Sequence, residues 1–107
     1  MYKIENFRGK HGYSISNQFI ITEDNRGEKT DAYGFDIGEV RNYEAFQSHN
    51  SVIVKKDYSN GKIYLDKNYW DFSKETGEYR DIFLGENKKI IEEKIKNGEY
   101  ILADLNK

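Results

Sequence analysis

An Asn-Gly pair, Asn60-Gly61, separates two short segments that are rich in β-branched and aromatic residues. The first segment contains Val52-Ile53-Val54 and the second contains Ile63-Tyr64-Leu65. Asn-Gly is the strongest short hairpin signal, because both residues tolerate the positive φ angles of a two-residue turn. The sequence therefore predicts a β-hairpin over about residues 51–66, and the rest of the fold must be built around it.

A helix is predicted to follow the hairpin, over about residues 74–84. Ser73 can cap its first turn by accepting a hydrogen bond from a free backbone N–H. Tyr79, Ile82 and Phe83 lie at positions i, i+3 and i+4 and would share one apolar face. Gly85 suits the left-handed position that commonly ends a helix.

A second helix is predicted over about residues 88–97, with Asn87 as its cap. Ile91 and Ile95 would form its buried stripe. Residues 99–103 then have the apolar character of a closing C-terminal strand.

The first half of the chain is less regular. Alternation predicts a strand at residues 2–7 and one or two strands within 13–22. Residues 46–56 include one good strand core, whereas 31–45 could be helix, strand or ordered loop. Strands followed by helices predict an α+β fold with a small, mainly antiparallel sheet and a central hairpin, in a single domain spanning 1–107.

Composition limits the classes of protein that remain. Aromatic residues make up 15% of the chain, which favours a folded core although 34% of residues are charged. The chain has no cysteine, so disulfides and thiolate metal sites are excluded and a reducing, cytoplasmic location is favoured. The first residues lack a signal-peptide pattern, and no apolar run is long enough for a membrane helix.

No pattern of residues indicates catalysis or metal binding. The only histidines are His11 and His49, and a pairing of His49 with Ser48 or Ser51 has no supporting turn motif. The acidic residues match no calcium-loop spacing, and two distant histidines make no zinc signature. The sequence therefore predicts a non-enzymatic protein without a cofactor or metal.

An acidic stretch runs from Glu23 to Glu44, with seven acidic and three basic residues. It can be a solvated loop, as most charge runs are, or a patch that meets a basic partner protein. On the second interpretation the candidate partner-binding residues are Glu28, Asp31, Asp36, Glu39 and Glu44, with Tyr33 and Phe35 between them.

Basic and aromatic residues cluster around the predicted hairpin. Single-strand nucleic-acid binders combine such residues, because bases stack on aromatic rings while cations meet phosphates. The alternative is an ordinary polar outer face, and a net charge of −2 argues against nucleic acid. The candidate nucleic-acid-binding residues are Lys55, Lys56, Tyr58, Lys62 and Tyr64.

The second half of the chain resembles a family of small uncharacterised proteins carried by phages and plasmids of Gram-positive bacteria. The resemblance covers about residues 46–106. It rests on segments 46–54 (FQSHNSVIV), 61–66 (GKIYLD), 69–73 (YWDFS) with Thr76, 79–80 (YR), 83–86 (FLGE), 98–102 (GEYIL) and 104–106 (DLN). His49 stands where that family usually has tyrosine, and residues 27–45 resemble an insertion.

The resemblance implies a biological context rather than an activity. Small proteins of mobile elements commonly bind and block host machinery, and inhibitors of CRISPR nucleases are an abundant class of this kind. The leading hypothesis is therefore an anti-CRISPR-like inhibitor that binds a host or defence-system protein, such as a CRISPR effector. The alternative is a small single-stranded nucleic-acid-binding accessory protein.

Overall fold

The structure is a computed structural model that describes residues 2–9, 12–24 and 41–107. These residues form one six-stranded sheet and two helices, which confirms the predicted α+β class. The elements are β1 (Tyr2–Arg8), β2 (Ser14–Asp24), β3 (Arg41–Ser48), β4 (Ser51–Asp57), β5 (Lys62–Asp66), α1 (Lys74–Leu84), α2 (Lys88–Lys96) and β6 (Tyr100–Ala103).

The strands lie in the sheet in the same order as in the chain. Each of the first four pairs antiparallel with the next, whereas β6 pairs parallel with β5. The parallel pairing follows from the intervening helices, because a parallel neighbour needs a long crossover connection. The predicted hairpin is confirmed as β4 and β5, with Asp57 opposite Lys62 across the turn.

The helix boundaries follow their caps. The Ser73 side chain accepts from the backbone N–H of Thr76 at 3.1 Å, and Gly85 ends α1 at a φ of 70°. The Asn87 side chain accepts from the N–H of Ile90 at 3.0 Å and starts α2. Each cap satisfies backbone groups that have no partner inside the helix, so both helices begin where the sequence predicts.

Residues 46–56, for which the sequence predicts one strand core, contain parts of two strands. β3 ends at Ser48 and β4 begins at Ser51, and these two residues pair across a tight turn. The turn consists of His49 and Asn50, and His49 has a φ of 53°. His-Asn is a weaker turn signal than Asn-Gly, which explains why the sequence does not indicate this second hairpin.

The core lies between the helices and one face of the sheet. A shift in the β3–β4 register leaves Ile53 without a partner, and both Ile53 and Val54 are buried. Such a bulge redirects a side chain that strict alternation would send to the other face. The buried core residues are Phe7, Phe46, Ile53, Val54, Leu65, Phe83, Ile91 and Tyr100. The prediction for Ile82 is wrong, because this residue of α1 is 59% exposed, whereas Phe83 is buried and Tyr79 packs against the core.

Neither α1 nor α2 is long and apolar enough to cross a membrane, and the described residues contain no other helix.

Candidate binding surface

The two faces of the sheet have different surroundings. Both helices pack on one face: the Phe46 ring lies 5.9 Å from that of Phe83 in α1, and the ammonium of Lys94 in α2 lies 5.2 Å from the centre of the Tyr100 ring. Successive side chains along a strand alternate between the two faces of a sheet, so the residues next to those that contact the helices point to the other face. That face, which neither helix covers, is called the open face. It comprises Tyr2, Ile4, Asn6, Phe19, Ile21, Glu23, Tyr43, Ala45, Gln47, Val52, Lys55, Asp57, Lys62, Tyr64, Asp66, Ile101 and Ala103.

One row of the open face crosses all six strands. We call it the central row, and it consists of Ile4, Ile21, Ala45, Lys55, Tyr64 and Ile101, each opposite the next. Lys55 is its only charged member. The row begins at Ile4, whose side chain is 66% exposed on the edge strand. Ala45 is buried, and the other four members are half-buried. A row with so little charge differs from the usual polar outer face of an antiparallel sheet.

A pair of tyrosines lies beside the central row. The rings of Tyr2 and Tyr43 meet edge to face, with centroids 6.3 Å apart, and the ammonium of Lys55 lies 4.7 Å from the centre of the Tyr43 ring. Burial and a hydrogen bond with Tyr2 raise the pKa of Tyr43 to about 12. Tyr43 is therefore a neutral, partly buried ring at physiological pH, and the exposed Tyr2 extends its surface.

A depression of about 430 Å³ lies on the open face. Its lining combines strand residues such as Ile21 and Val52 with Asp104 and Leu105, which follow β6. The backbone N–H of Leu105 donates to the carboxylate of Asp66 at 2.8 Å, which holds this segment against the sheet. The depression is therefore bounded by fixed backbone on at least one side.

Charges on the open face are few and balanced. Lys55 and Lys62 are basic, and Glu23 and Asp57 are acidic. Asp66 also belongs to this face, but it is fully buried and accepts backbone hydrogen bonds. The described part of the open face therefore has no excess of positive charge for a phosphate backbone.

The predicted acidic patch lies largely beyond the described residues. Glu28, Asp31, Tyr33, Phe35, Asp36 and Glu39 all fall outside them. Glu44 lies in β3 opposite Lys56, with 3.9 Å between its carboxylate and the ammonium. Its side chain is only 18% exposed and faces the helix side of the sheet. Glu44 is thus a weaker candidate for a partner contact than its charge suggests.

The candidate nucleic-acid-binding residues are divided between surfaces. Lys55, Lys62 and Tyr64 lie on the open face, and Lys55 is directly opposite Tyr64. Lys56 points to the helix side, where its ammonium donates to the Phe83 carbonyl at 3.0 Å. Tyr58 is exposed in the β4–β5 turn. The structure therefore brings three of these five residues to one face.

Several open-face residues carry no sequence signal of a binding role. The sequence indicates only strands at Tyr2, Ile4 and Ile21, and Tyr43 lies in a stretch without a clear pattern. The alternation of the strands is visible in the sequence, but the side of the sheet that stays uncovered depends on where the helices pack.

A polar cluster joins the β3–β4 turn to the first turn of α1. The hydroxyls of Ser48 and Thr76 lie 2.9 Å apart, and one carboxylate oxygen of Glu75 lies 2.9 Å from both Gln18 Nε2 and His49 Nε2. Ser48 and His49 thus have separate partners in α1. This arrangement anchors the helix to the sheet.

Within 2–9, 12–24 and 41–107, no group of three or more histidine or acidic residues is arranged to hold a metal ion. Comparisons of the chain with protein-family models, curated proteins and solved structures give no significant match. The open face is the described surface with the clearest chemical character for binding.

Proposed function

We propose that the protein is a non-enzymatic binding protein that docks a partner protein on its open face. In line with the resemblance of residues 46–106, the chain would act as an inhibitor from a phage or mobile element. Its target would be a host or defence-system protein, such as a CRISPR effector. The observation that carries the proposal is the central row. It lies on the sheet face that neither helix covers, and Lys55 is the only charged residue among its six members.

The chemistry of the open face favours a protein partner. The cores of protein interfaces are depleted in charge and enriched in aromatic side chains, and tyrosine is common among the residues that dominate binding energy. Tyr2, Tyr43 and Tyr64 supply three such rings around the aliphatic part of the central row. Tyr2 is 68% exposed, so its ring is available for contact without any rearrangement of the fold.

The acidic segment can contribute to the same surface. Two of its residues, Asp24 at the end of β2 and Arg41 at the start of β3, pair with each other. The next open-face residue along β3 is Tyr43, so the segment leaves and re-enters the sheet beside the tyrosine pair. Acidic residues at the rim of an apolar interface would guide a basic partner and fix its orientation.

The test uses two substitutions of the same type on different surfaces. Lys55→Glu places a carboxylate in the central row, whereas Lys89→Glu changes an exposed lysine on α2. Each tagged variant is used to capture partners from a host lysate with active defence systems, and the recovered protein is then bound in purified form. The ammonium of Lys55 is attracted to the face of the Tyr43 ring, whereas a carboxylate is repelled by it. We expect Lys55→Glu to weaken binding at least about tenfold, because this charge would be buried in the interface without a partner.

The control, Lys89→Glu, should bind the purified partner as the wild type does. Circular dichroism spectra of both variants should match the wild type. Equal affinity of the two variants would reject the open face as the docking site. Nuclease treatment of the lysate before capture distinguishes direct protein contact from recovery through nucleic acid.

A second candidate function is binding of single-stranded nucleic acid. It is favoured by the position of Lys55, which lies over the Tyr43 ring and opposite Tyr64 on an uncovered sheet. Aromatic rings on a sheet surface can stack bases while lysines meet phosphates. Fluorescence anisotropy with labelled oligonucleotides at increasing salt tests it. No binding at about 50 mM salt would reject this function, and a steep salt dependence would support it.

A further inference from the structure

The backbone edge of β1 is a second candidate surface, and it adjoins the open face at Tyr2, Ile4 and Asn6. β1 pairs with β2 on one side, and among the described strands none pairs with its other side. Its ladder is regular from Tyr2 to Asn6, and a register shift interrupts it between Asn6 and Arg8. An uncovered edge of this length presents backbone N–H and C=O groups that can pair with another strand.

We propose that two copies of this chain pair antiparallel through β1, with the two-fold axis at Ile4. The two sheets would then form one continuous sheet. Such an interface uses the same strand from each copy, so it closes on itself and produces a dimer instead of a fibre.

The charges of β1 select this register. A two-fold axis perpendicular to the sheet keeps each face on its own side, so residues opposite each other must share a face. Within the regular ladder the axis can lie at Lys3, Ile4 or Glu5. An axis at Lys3 would place two lysines opposite each other, and an axis at Glu5 would do the same with two glutamates. Like charges in directly opposite positions destabilise a strand pair.

An axis at Ile4 avoids both conflicts. Lys3 of each copy then lies opposite Glu5 of the other, which gives two attractive pairs on the helix side of the sheet. On the open face, Ile4 meets its own equivalent and Tyr2 lies opposite Asn6. The contact of the two isoleucines removes exposed apolar surface from water, which adds to the backbone hydrogen bonds.

The side chains required for this register are accessible. Lys3 and Glu5 form an ion pair of 2.9 Å within the strand, and more than half of each side chain is exposed. In the dimer, the ion pair of Lys3 with Glu5 of the same strand is replaced by ion pairs between Lys3 of one copy and Glu5 of the other. No charge is then buried without a partner. The test of this interface changes Lys3 and Glu5 on the helix side of the sheet, whereas the test of the proposed function changes Lys55 on the open face. Each proposal can therefore fail in its own experiment without deciding the other.

The test is charge reversal followed by mixing. Sedimentation velocity on wild-type protein across a range of concentrations gives the dimer dissociation constant. Lys3→Glu and Glu5→Lys should each weaken the homodimer about tenfold or more, since each places like charges opposite each other twice. When the two variants are mixed, the carboxylates of one chain face the lysines of the other, so a heterodimer should form with an affinity close to that of the wild type.

Two controls distinguish a loss of this register from a loss of folding or a general effect of charge. Lys89→Glu should leave the dissociation constant unchanged, and the circular dichroism spectrum of every variant should match the wild type. The double variant with both reversals should dimerise again, because the attractive pairs are restored with opposite polarity. A monomeric wild type at every concentration, single variants that dimerise normally, or a mixture that dimerises no better than either variant alone would each overturn the proposal.

Discussion

The side-chain amide of Asn106 holds the backbone of Val52 through both its N–H and its carbonyl. Nδ2 of Asn106 donates to the Val52 carbonyl at 2.9 Å, and Oδ1 accepts from the Val52 N–H at 2.6 Å. These residues are 54 positions apart in the chain. The pair connects the segment after β6 to β4 and so holds Leu105 against the depression on the open face.

Substitution of this asparagine should therefore lower stability. We expect Asn106→Ala to reduce the free energy of unfolding by about 1–2 kcal/mol, because two hydrogen bonds to one backbone site are lost. Asn106→Asp should also lower stability, because the oxygen that replaces Nδ2 is an acceptor and would face the Val52 carbonyl oxygen. Urea unfolding followed by circular dichroism measures both. An unchanged midpoint for Asn106→Ala would show that the segment does not contribute to the folded core.

Among the described residues, Arg80 is the largest with a fully buried side chain. Its guanidinium donates to the Trp70 carbonyl at 2.8 Å and pairs with Asp81 at 2.8 Å and Asp71 at 3.1 Å. The charge also lies over the Trp70 ring at 5.3 Å. It joins α1 to the turns that follow β5.

We expect Arg80→Ala to cost about 2–4 kcal/mol of stability, since it removes the partner of two carboxylates and leaves a cavity. The partial exposure of both aspartates keeps the cost below that of a fully buried pair. Arg80→Lys should lie between this variant and the wild type, because an ammonium lacks the planar fork of donors. Urea unfolding provides the comparison, and equal stability of all three proteins would contradict the role assigned to Arg80.

The elements that the sequence predicts correctly have local signals. Ser73 and Asn87 cap their helices through contacts within the next three residues. Asn60-Gly61 ends the four-residue connection between β4 and β5, where Gly61 alone of the two has a positive φ, of 71°. Such signals depend on nearby chain alone. β3 lacks a strong turn signal at either end, and the parallel position of β6 depends on how the two helices pack. Arg80 gives no sequence signal of burial, because its partners come from tertiary structure.

The open face could be predicted from the sequence only in part, because it too depends on tertiary structure. Lys55 and Lys56 form one basic cluster in the sequence, but neighbouring residues of a strand point to opposite faces. The alternation of side chains along a strand is therefore enough to predict that Lys55 and Lys56 lie on opposite faces. It does not predict which of the two faces the helices cover. Tyr43 and Tyr2 become neighbours only through the pairing of β1, β2 and β3, which no local pattern specifies.

The two adjacent lysines should respond differently to the same substitution. Lys56 donates to the Phe83 carbonyl, and its ammonium lies 4.3 Å from the centre of the Phe83 ring. We expect Lys56→Ala to lower the free energy of unfolding by about 1 kcal/mol, and Lys55→Ala to change it by less than about 0.5 kcal/mol. Thermal and urea unfolding of the two variants test this. A larger loss for Lys55→Ala would contradict the assignment of the faces.

Stability should fall in acid through Glu86. Burial raises the pKa of this carboxyl, but hydrogen bonds from Lys94 and Tyr100 outweigh burial, and the pKa lies below its ordinary value of 4.5. A carboxyl with a lowered pKa in the folded state stabilises the protein above its unfolded pKa, and this contribution disappears as the pH falls through the folded pKa. The difference in stability between wild type and Glu86→Gln should therefore shrink from pH 7 to pH 3. Urea unfolding at several pH values measures it, and a constant difference would contradict the assignment.

The tyrosines of the open face should be detectable by their ionisation. Burial and the hydrogen bond with Tyr2 raise the pKa of Tyr43 to about 12, above the ordinary value of 10. Its contribution to stability is therefore complete below pH 10 and is lost as the pH rises through 12. In an absorbance titration at the tyrosinate wavelength, Tyr43→Phe should remove one late-ionising group, and Tyr2→Phe should move that group to lower pH. If neither variant alters the late phase, the two hydroxyls do not interact in solution, and the tyrosine pair beside the central row is not preorganised for a partner.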